Sequence, residues 1–248
     1  QNDLRTTVSI GEIMKTIHTV TKHNLFIRLI KRMIRTFRKK PEISQQIETL
    51  PEKAIYIANH RGAAGPLTLI VYFPKILVPW GAHPMTEGYL SRWNYLYYLF
   101  YRQKLKYGKF RSLFLATTFG LISRILYRGV HLIPSYTDLR FKKTISLSLS
   151  HLQQNNSILI FPEDSSDGYQ DEIESFHQGF LFLAKRYFET SGTHIPIIPV
   201  YYHQENKRIM IGEAKTIADY PNLTTEQITE RFKQDLNDLG LKLGTKKD

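Results

Sequence analysis

The 248-residue chain contains no cysteine. Disulfide frameworks, cysteine nucleophiles and thiolate metal centres are excluded, while the redox compartment stays open. Long apolar runs are also missing. A longer apolar helical run, Leu113 to Ile122, is bracketed by Arg111 and Arg124 and falls short of the about 20 residues that cross a bilayer. On these residues the protein is peripheral to a membrane at most. Acidic residues are absent from Lys22 to Lys40, where eight Lys or Arg stand together. Despite a net charge of +12, no helix-turn-helix, zinc or aromatic ribonucleoprotein signature is present, so no nucleic-acid partner is expected. A nucleophile elbow is lacking too, which argues against an ester hydrolase of that type. There is no internal repeat and no low-complexity tract.

What is present belongs to a folded chain. An apolar fraction of 42% with 14 glycines and 11 prolines supplies a substantial core, in one large α/β domain or two small ones. The chain begins at Gln1, and we expect a natural start upstream. Ala54-Ile55-Tyr56-Ile57-Ala58 reads as a buried strand that stops at Asn59-His60, followed by Arg61-Gly62-Ala63-Ala64-Gly65-Pro66, small residues suited to a tight turn. His60 thus falls at the carboxyl end of a strand, where α/β sheets bind ligands and an imidazole can act as a general base. A histidine that merely caps the turn is the plainer alternative. A second such end is Ser157-Ile158-Leu159-Ile160-Phe161-Pro162-Glu163-Asp164-Ser165-Ser166-Asp167-Gly168, an apolar strand running into carboxylates, hydroxyls and a glycine.

Together with Ile195-Pro196-Ile197-Ile198-Pro199-Val200, these blocks resemble the glycerolipid acyltransferase family, which includes lysophosphatidate and glycerol-3-phosphate acyltransferases. In that family Asn-His precedes an Asp after four intervening residues, a later block begins Phe-Pro-Glu, and a strand of the Pro-Ile-x-Pro-Val kind follows. The resemblance covers about residues 48 to 215, with Glu48-Thr49-Leu50-Pro51, Phe176-His177-Gln178-Gly179 and Ile209-Met210-Ile211-Gly212-Glu213 fitting around the blocks. Two positions depart from it. Gly65 stands where the family has its Asp, and Gly129-Val130-His131-Leu132-Ile133-Pro134-Ser135 carries Ser135 where an arginine is usual.

The resemblance implies transfer of an acyl group from an acyl-CoA or acyl carrier protein thioester to the hydroxyl of a lysophospholipid-like acceptor, with His60 as base and no cofactor or metal. Such a base is normally oriented by a carboxylate, so without one at Gly65 we expect Asp164, with Asp167 as runner-up, to take that duty. The alternative is a catalytically weak or inactive lipid-binding relative. Asn59, Arg61, Gly62, Glu163, Ser165 and Ser166 are the expected substrate-binding residues. Arg140, five residues past Ser135, is a candidate for the missing arginine, with Arg128 a further cation; both are equally readable as surface ion pairs. Six acidic residues between Glu163 and Glu174 can instead form a solvated loop or bind a hard cation.

The expected architecture is α/β, a largely parallel or mixed sheet flanked by helices, with an N-terminal basic helical layer. Residues 1–40 form that layer and 41–248 the acyltransferase-like domain. Helical signals run from about Val8 to Arg38, then over Pro66–Tyr72, Phe141–Gln154, Phe176–Tyr187 and Thr224–Leu239, with Ile76 to Trp80 a strand candidate and Lys39-Lys40-Pro41 a linker. Within Lys22 to Lys40 an apolar stripe of Phe26, Leu29, Ile30, Met33, Ile34 and Phe37 is flanked by Arg28, Lys31, Arg32, Arg35 and Arg38. That pattern suits either an anionic membrane surface or a helix packed inward on its own domain. The aromatic run Arg92 to Arg102 suits a membrane interface, the core, or one wall of an acyl-chain pocket. The expected location is cytoplasmic, peripheral on the inner face of the membrane.

Overall fold

The computed structural model describes residues 19–164 and 172–244. Seven strands form one mixed sheet: β1 (Glu42–Gln45), β2 (Ile55–Ala58), β3 (Leu77–Ala82), β4 (Ile133–Ser135), β5 (Ser157–Ile160), β6 (Ile197–His203) and β7 (Arg208–Ile211), in the order β1-β7-β6-β2-β5-β3-β4. Every neighbouring pair is parallel except β6 and β7, which form an antiparallel hairpin. Strands β2 and β5 lie at the centre in the register Ile57 to Ile160. Their carboxyl ends, and so the first and third sequence blocks, are side by side.

The central strands read as continuous apolar runs because both faces are covered, as parallel sheets require. Ile55 and Ile57 face one layer with Leu152, Phe180, Leu183 and Phe232, whereas Tyr56 and Ala58 face the other with Leu69, Phe73 and Val200. The first layer is built by α5 (Phe141–Gln153), α6 (Gly179–Ser191) and α7 (Thr225–Gly244), and α2 (Ala64–Tyr72) covers the second. Inside that second layer the Tyr56 hydroxyl is fully buried and has no hydrogen-bond partner among the described residues. Burial pushes its ionisation well above the ordinary tyrosine range.

Between β3 and β4 lies a helical subassembly: α3 (Tyr89–Asn94), a ten-residue π-helical stretch Tyr95–Lys104, and α4 (Lys109–Gly129). Its core gathers Met85, Leu96, Tyr101 and Ala116 with Trp93, Tyr95, Phe100 and Tyr127. Most of the aromatic run is thus core. Before the sheet, α1 (Leu25–Phe37) begins where the Asn24 side chain accepts from the Ile27 amide at 2.9 Å, a side-chain cap that ends the chain's extended approach. The helix expected from Val8 to Arg38 is thus realised over Leu25–Phe37; residues 19–24 are not helical, and the part before residue 19 lies outside the described residues.

Of α1 only Ile27, which lies outside the expected stripe, is buried, while Ile30 and Ile34 of the stripe are half-buried. Ile27 sits against Gly129, where a β-carbon would lie 2.9 Å from its Cδ1. Arg35 donates to the Val71 carbonyl at 2.7 Å, and burial lowers the Lys31 ammonium to about 8. Leu25, Phe26, Leu29, Met33 and Phe37 are exposed. The helix therefore meets the body through Ile27, the half-buried Ile30, Lys31 and Ile34, and the Arg35 hydrogen bond, and leaves the rest of its stripe uncovered. Two smaller differences have local causes. The four-residue edge strand β1 follows directly on the Lys39-Lys40-Pro41 linker where no strand was expected, and α6 starts at Gly179 because Phe176 first pairs with Glu163 across an antiparallel bridge.

Candidate active site

The first block ends in a side chain that behaves as main chain. Asn59 donates from Nδ2 to the Tyr202 carbonyl at 3.0 Å, and its Oδ1 accepts from the Tyr202 amide at 2.8 Å. It is a buried anchor between β2 and β6, and its expected contact with substrate gives way to this structural role. The chain then turns through Arg61 (φ 45°) and Gly62 (φ 65°). Two consecutive left-handed residues suit the glycine and strain the arginine.

Between anchor and turn sits His60. Its ring meets the Phe161 ring edge to face at 4.9 Å, and its main-chain amide donates to Glu163 Oε2 at 3.0 Å. Burial first, and the Lys104 ammonium second, push the imidazole down to about 4, while a hydrogen bond with the Gly62 backbone acts the other way. The ring is therefore neutral at pH 7, the form a proton acceptor needs. Glu163 is buried and tied into the bridge with Phe176. Its carboxylate holds the backbone beneath the histidine.

Asp164 follows, exposed, with its amide donating to the Ser175 carbonyl at 3.1 Å. Ser165, Ser166 and Asp167 lie outside the described residues. Lys104, the last residue of the π-helical stretch, enters from another element. Desolvation lowers its ionisation, and Asp164 and Glu163 pull it back up. This cation faces the histidine and both carboxylates, although it lies 44 positions from His60 with no motif around it.

Gly65, on the first turn of α2, explains the absent side chain sterically. A β-carbon there would lie 2.9 Å from the His60 carbonyl carbon, closer still to its oxygen, and 3.1 Å from the Asn59 oxygen. Arg140 is not brought to His60's strand end. It pairs with Asp138 at 2.8 Å beyond β4, lies over the Tyr136 ring at 4.5 Å, and is exposed. Tyr136 in turn stacks on His83, whose Nδ1 contacts Glu87 at 2.8 Å. Arg128 is exposed near the end of α4. Among the described residues no group of three or more His, Asp or Glu side chains is placed to hold a metal ion.

Neither a family model nor a curated protein sequence matches this chain. Among solved structures it is similar to the 1-acyl-sn-glycerophosphate (LPA) acyltransferase PlsC from Thermotoga maritima, with a TM-score of 0.52 over 96% of this chain and 82% of that one. The fold is the PlsC acyltransferase fold. At 11% identity the likeness is one of architecture.

Proposed function

We propose that the protein transfers an acyl group from a thioester, acyl-CoA or acyl carrier protein, to the hydroxyl of a lysophospholipid-like acceptor. The observation that carries this reading is a neutral imidazole at the end of the central strand, its backbone fastened to the glutamate that opens the neighbouring strand's loop, on a fold shared with a lysophosphatidate acyltransferase.

His60 accepts the hydroxyl proton as the acceptor oxygen attacks the thioester carbonyl. Collapse of the tetrahedral adduct then expels the thiolate, which takes the proton back from the imidazolium. The Gly62 main chain orients the ring in place of a carboxylate at position 65, and Asp164 or Asp167 offsets the transient positive charge. Arg61 and Lys104 supply the cations for the acceptor's phosphate, a role for which Arg140 is already committed to Asp138. Residues 1–40 form a membrane-attaching layer on the 41–248 domain, at the cytoplasmic face of the membrane. No helix among the described residues is long and apolar enough to cross it.

A second reading draws on Gly65: with neither a carboxylate nor room for one there, a lipid-binding relative without turnover also fits. One assay separates the two. Purified protein is given palmitoyl-CoA or palmitoyl acyl carrier protein with lysophosphatidate, and thiol release is followed. Turnover should fall by about 100-fold or more in His60→Ala, with an unchanged circular dichroism spectrum. The acid limb of wild-type kcat/KM should lie near pH 4, following the lowered imidazole, rather than near the about 6.5 of a free histidine. Wild-type turnover in His60→Ala overturns the mechanism, and no turnover with either donor favours the lipid-binding relative.

A further inference from the structure

The exposed apolar side chains of this protein coincide with its positive charge. From Gly88 to Thr137 there is no acidic residue and there are eight Lys or Arg, matching the eight between Lys22 and Lys40. These two stretches hold 16 of the 34 basic residues and none of the 22 acidic ones, so the rest of the chain carries 18 against 22. Among the described residues, the same stretches carry 13 of the 17 exposed large hydrophobic side chains.

Within the second stretch the sequence points to a membrane interface only as one option for Arg92 to Arg102, not for α4. Helix α4 buries Ser112, Ala116, Gly120 and Ser123 on one side, small residues that let it lie close against its neighbours. Its opposite side exposes Phe110, Leu113, Phe114, Leu121, Ile122 and Ile125, with Phe110 90% exposed. Lys109 and Arg111 stand at one end and Arg124 and Arg128 at the other. Twenty-one residues at about 1.5 Å each make a rod of roughly 30 Å with an apolar middle and cationic ends. Two donors along it are already bonded: the Thr118 hydroxyl donates to the Phe114 carbonyl at 2.9 Å, and Trp93 Nε1 donates to Thr117 Oγ1 at 3.0 Å. Donors paired in this way enter an apolar surrounding at lower cost. The start of α1 packs on the end of α4, through Ile27 on Gly129 and the contact of His23 Nδ1 with the Gly129 carbonyl at 3.4 Å.

We propose that α4 is a second, principal membrane-docking element, lying flat in the interface of an anionic bilayer with Phe110, Phe114 and Leu121 inserted among the acyl chains. Charge complementarity selects the occupant. A protein partner would have to cover apolar side chains and supply acids at both ends of the rod, whereas anionic headgroups around hydrocarbon do both at once. Trp93, stacked on Tyr97 at 5.0 Å and bonded to Thr117, sits where interfacial aromatics sit.

The test uses the full chain, without acyl donor, so its failure is distinct from failure of the catalytic reading. Vesicles of phosphatidylcholine and phosphatidylglycerol at 7:3 are titrated into protein while sedimentation and tryptophan fluorescence are read. The other tryptophan, Trp80, is buried and bonded to Ser148, so a blue shift reports Trp93. Wild type should bind and shift, and phosphatidylcholine alone should bind at least about tenfold more weakly. The exposed substitutions Phe110→Ser, Phe114→Ser and Leu121→Ser together should reduce partitioning by more than about tenfold with unchanged circular dichroism. Arg124→Gln with Lys109→Gln should weaken binding at low salt and flatten its further loss as salt rises. Wild-type partitioning by the triple variant overturns the proposal. So does equal binding to neutral and anionic vesicles, or a wild-type dimer that the triple variant dissolves while vesicle binding is unaffected.

Discussion

Introducing a carboxylate at position 65 looks, from the blocks alone, like the repair of a defect, and the structure predicts the opposite. Any side chain there begins with a β-carbon 2.9 Å from the His60 carbonyl carbon and nearer to its oxygen, with the Asn59 oxygen at 3.1 Å. All three are backbone atoms, so no rotamer change relieves them. Relief requires α2's first turn to move away from the strand end by about an ångström, which in packed interiors costs about 1–3 kcal/mol. Rigid backbone on both sides puts this site at the upper end. Removing a helical glycine returns about 1 kcal/mol, leaving a net loss of about 2 kcal/mol for Gly65→Ala. Gly65→Asp should lose about as much, softened by a few tenths from a carboxylate at a helix start. Urea unfolding measures this as a lower midpoint at unchanged slope. Because the displaced atoms carry His60, turnover should fall in both variants and not recover in Gly65→Asp. An Asp variant as stable as wild type and faster in thioester turnover would refute the reasoning.

Two further outcomes test the interior. Tyr56→Phe removes a hydroxyl that is buried without a partner among the described residues, so it should stabilise the protein by about 1 kcal/mol; a loss of 1 kcal/mol or more in urea unfolding would mean the hydroxyl is bonded in solution. His23 and His151 are buried and, by desolvation first, are held near 4. Unfolded imidazoles gain protons below about 6.5 while these folded ones do not until about 4, so stability is fully present at pH 7 and is lost as pH falls through that window, by up to about 3 kcal/mol per histidine. Urea midpoints that stay level from pH 7 to 4.5 would contradict this.

The end of the sheet that carries the candidate site was legible because each block couples an apolar strand to an abrupt polar stop, and parallel pairing of β2 with β5 then brings the stops together. Lys104 was not legible. It arrives from a π-helical stretch whose aromatic run has no 3.6-residue signature, and nothing local marks its final residue as facing His60. For Arg140 the sequence offered a cation at a plausible spacing, and the nearby Asp138 that pairs with it carried equal weight only once the distance was known. Amphipathicity revealed the stripe on α1 but not whether anything covers it, since periodicity describes one helix and burial depends on its neighbours. On α4 the apolar residues fall on both sides, so the outward face became visible only when the small residues were found inside.

The paired hydrogen bonds of Asn59 with Tyr202 make a side chain impersonate a peptide unit. The ladder between β2 and β6 gains a borrowed rung while the main chain is already leaving the sheet, so the bend at Arg61 and Gly62 begins with the strand end still gripped. Such a graft depends on polarity rather than bulk. Aspartate has the shape but would set oxygen against the Tyr202 carbonyl, leucine has the volume but leaves both groups unmet, and glutamine overshoots by a methylene. Position 59 is therefore a splice between two backbones, and the aim of the neighbouring imidazole is inherited from it.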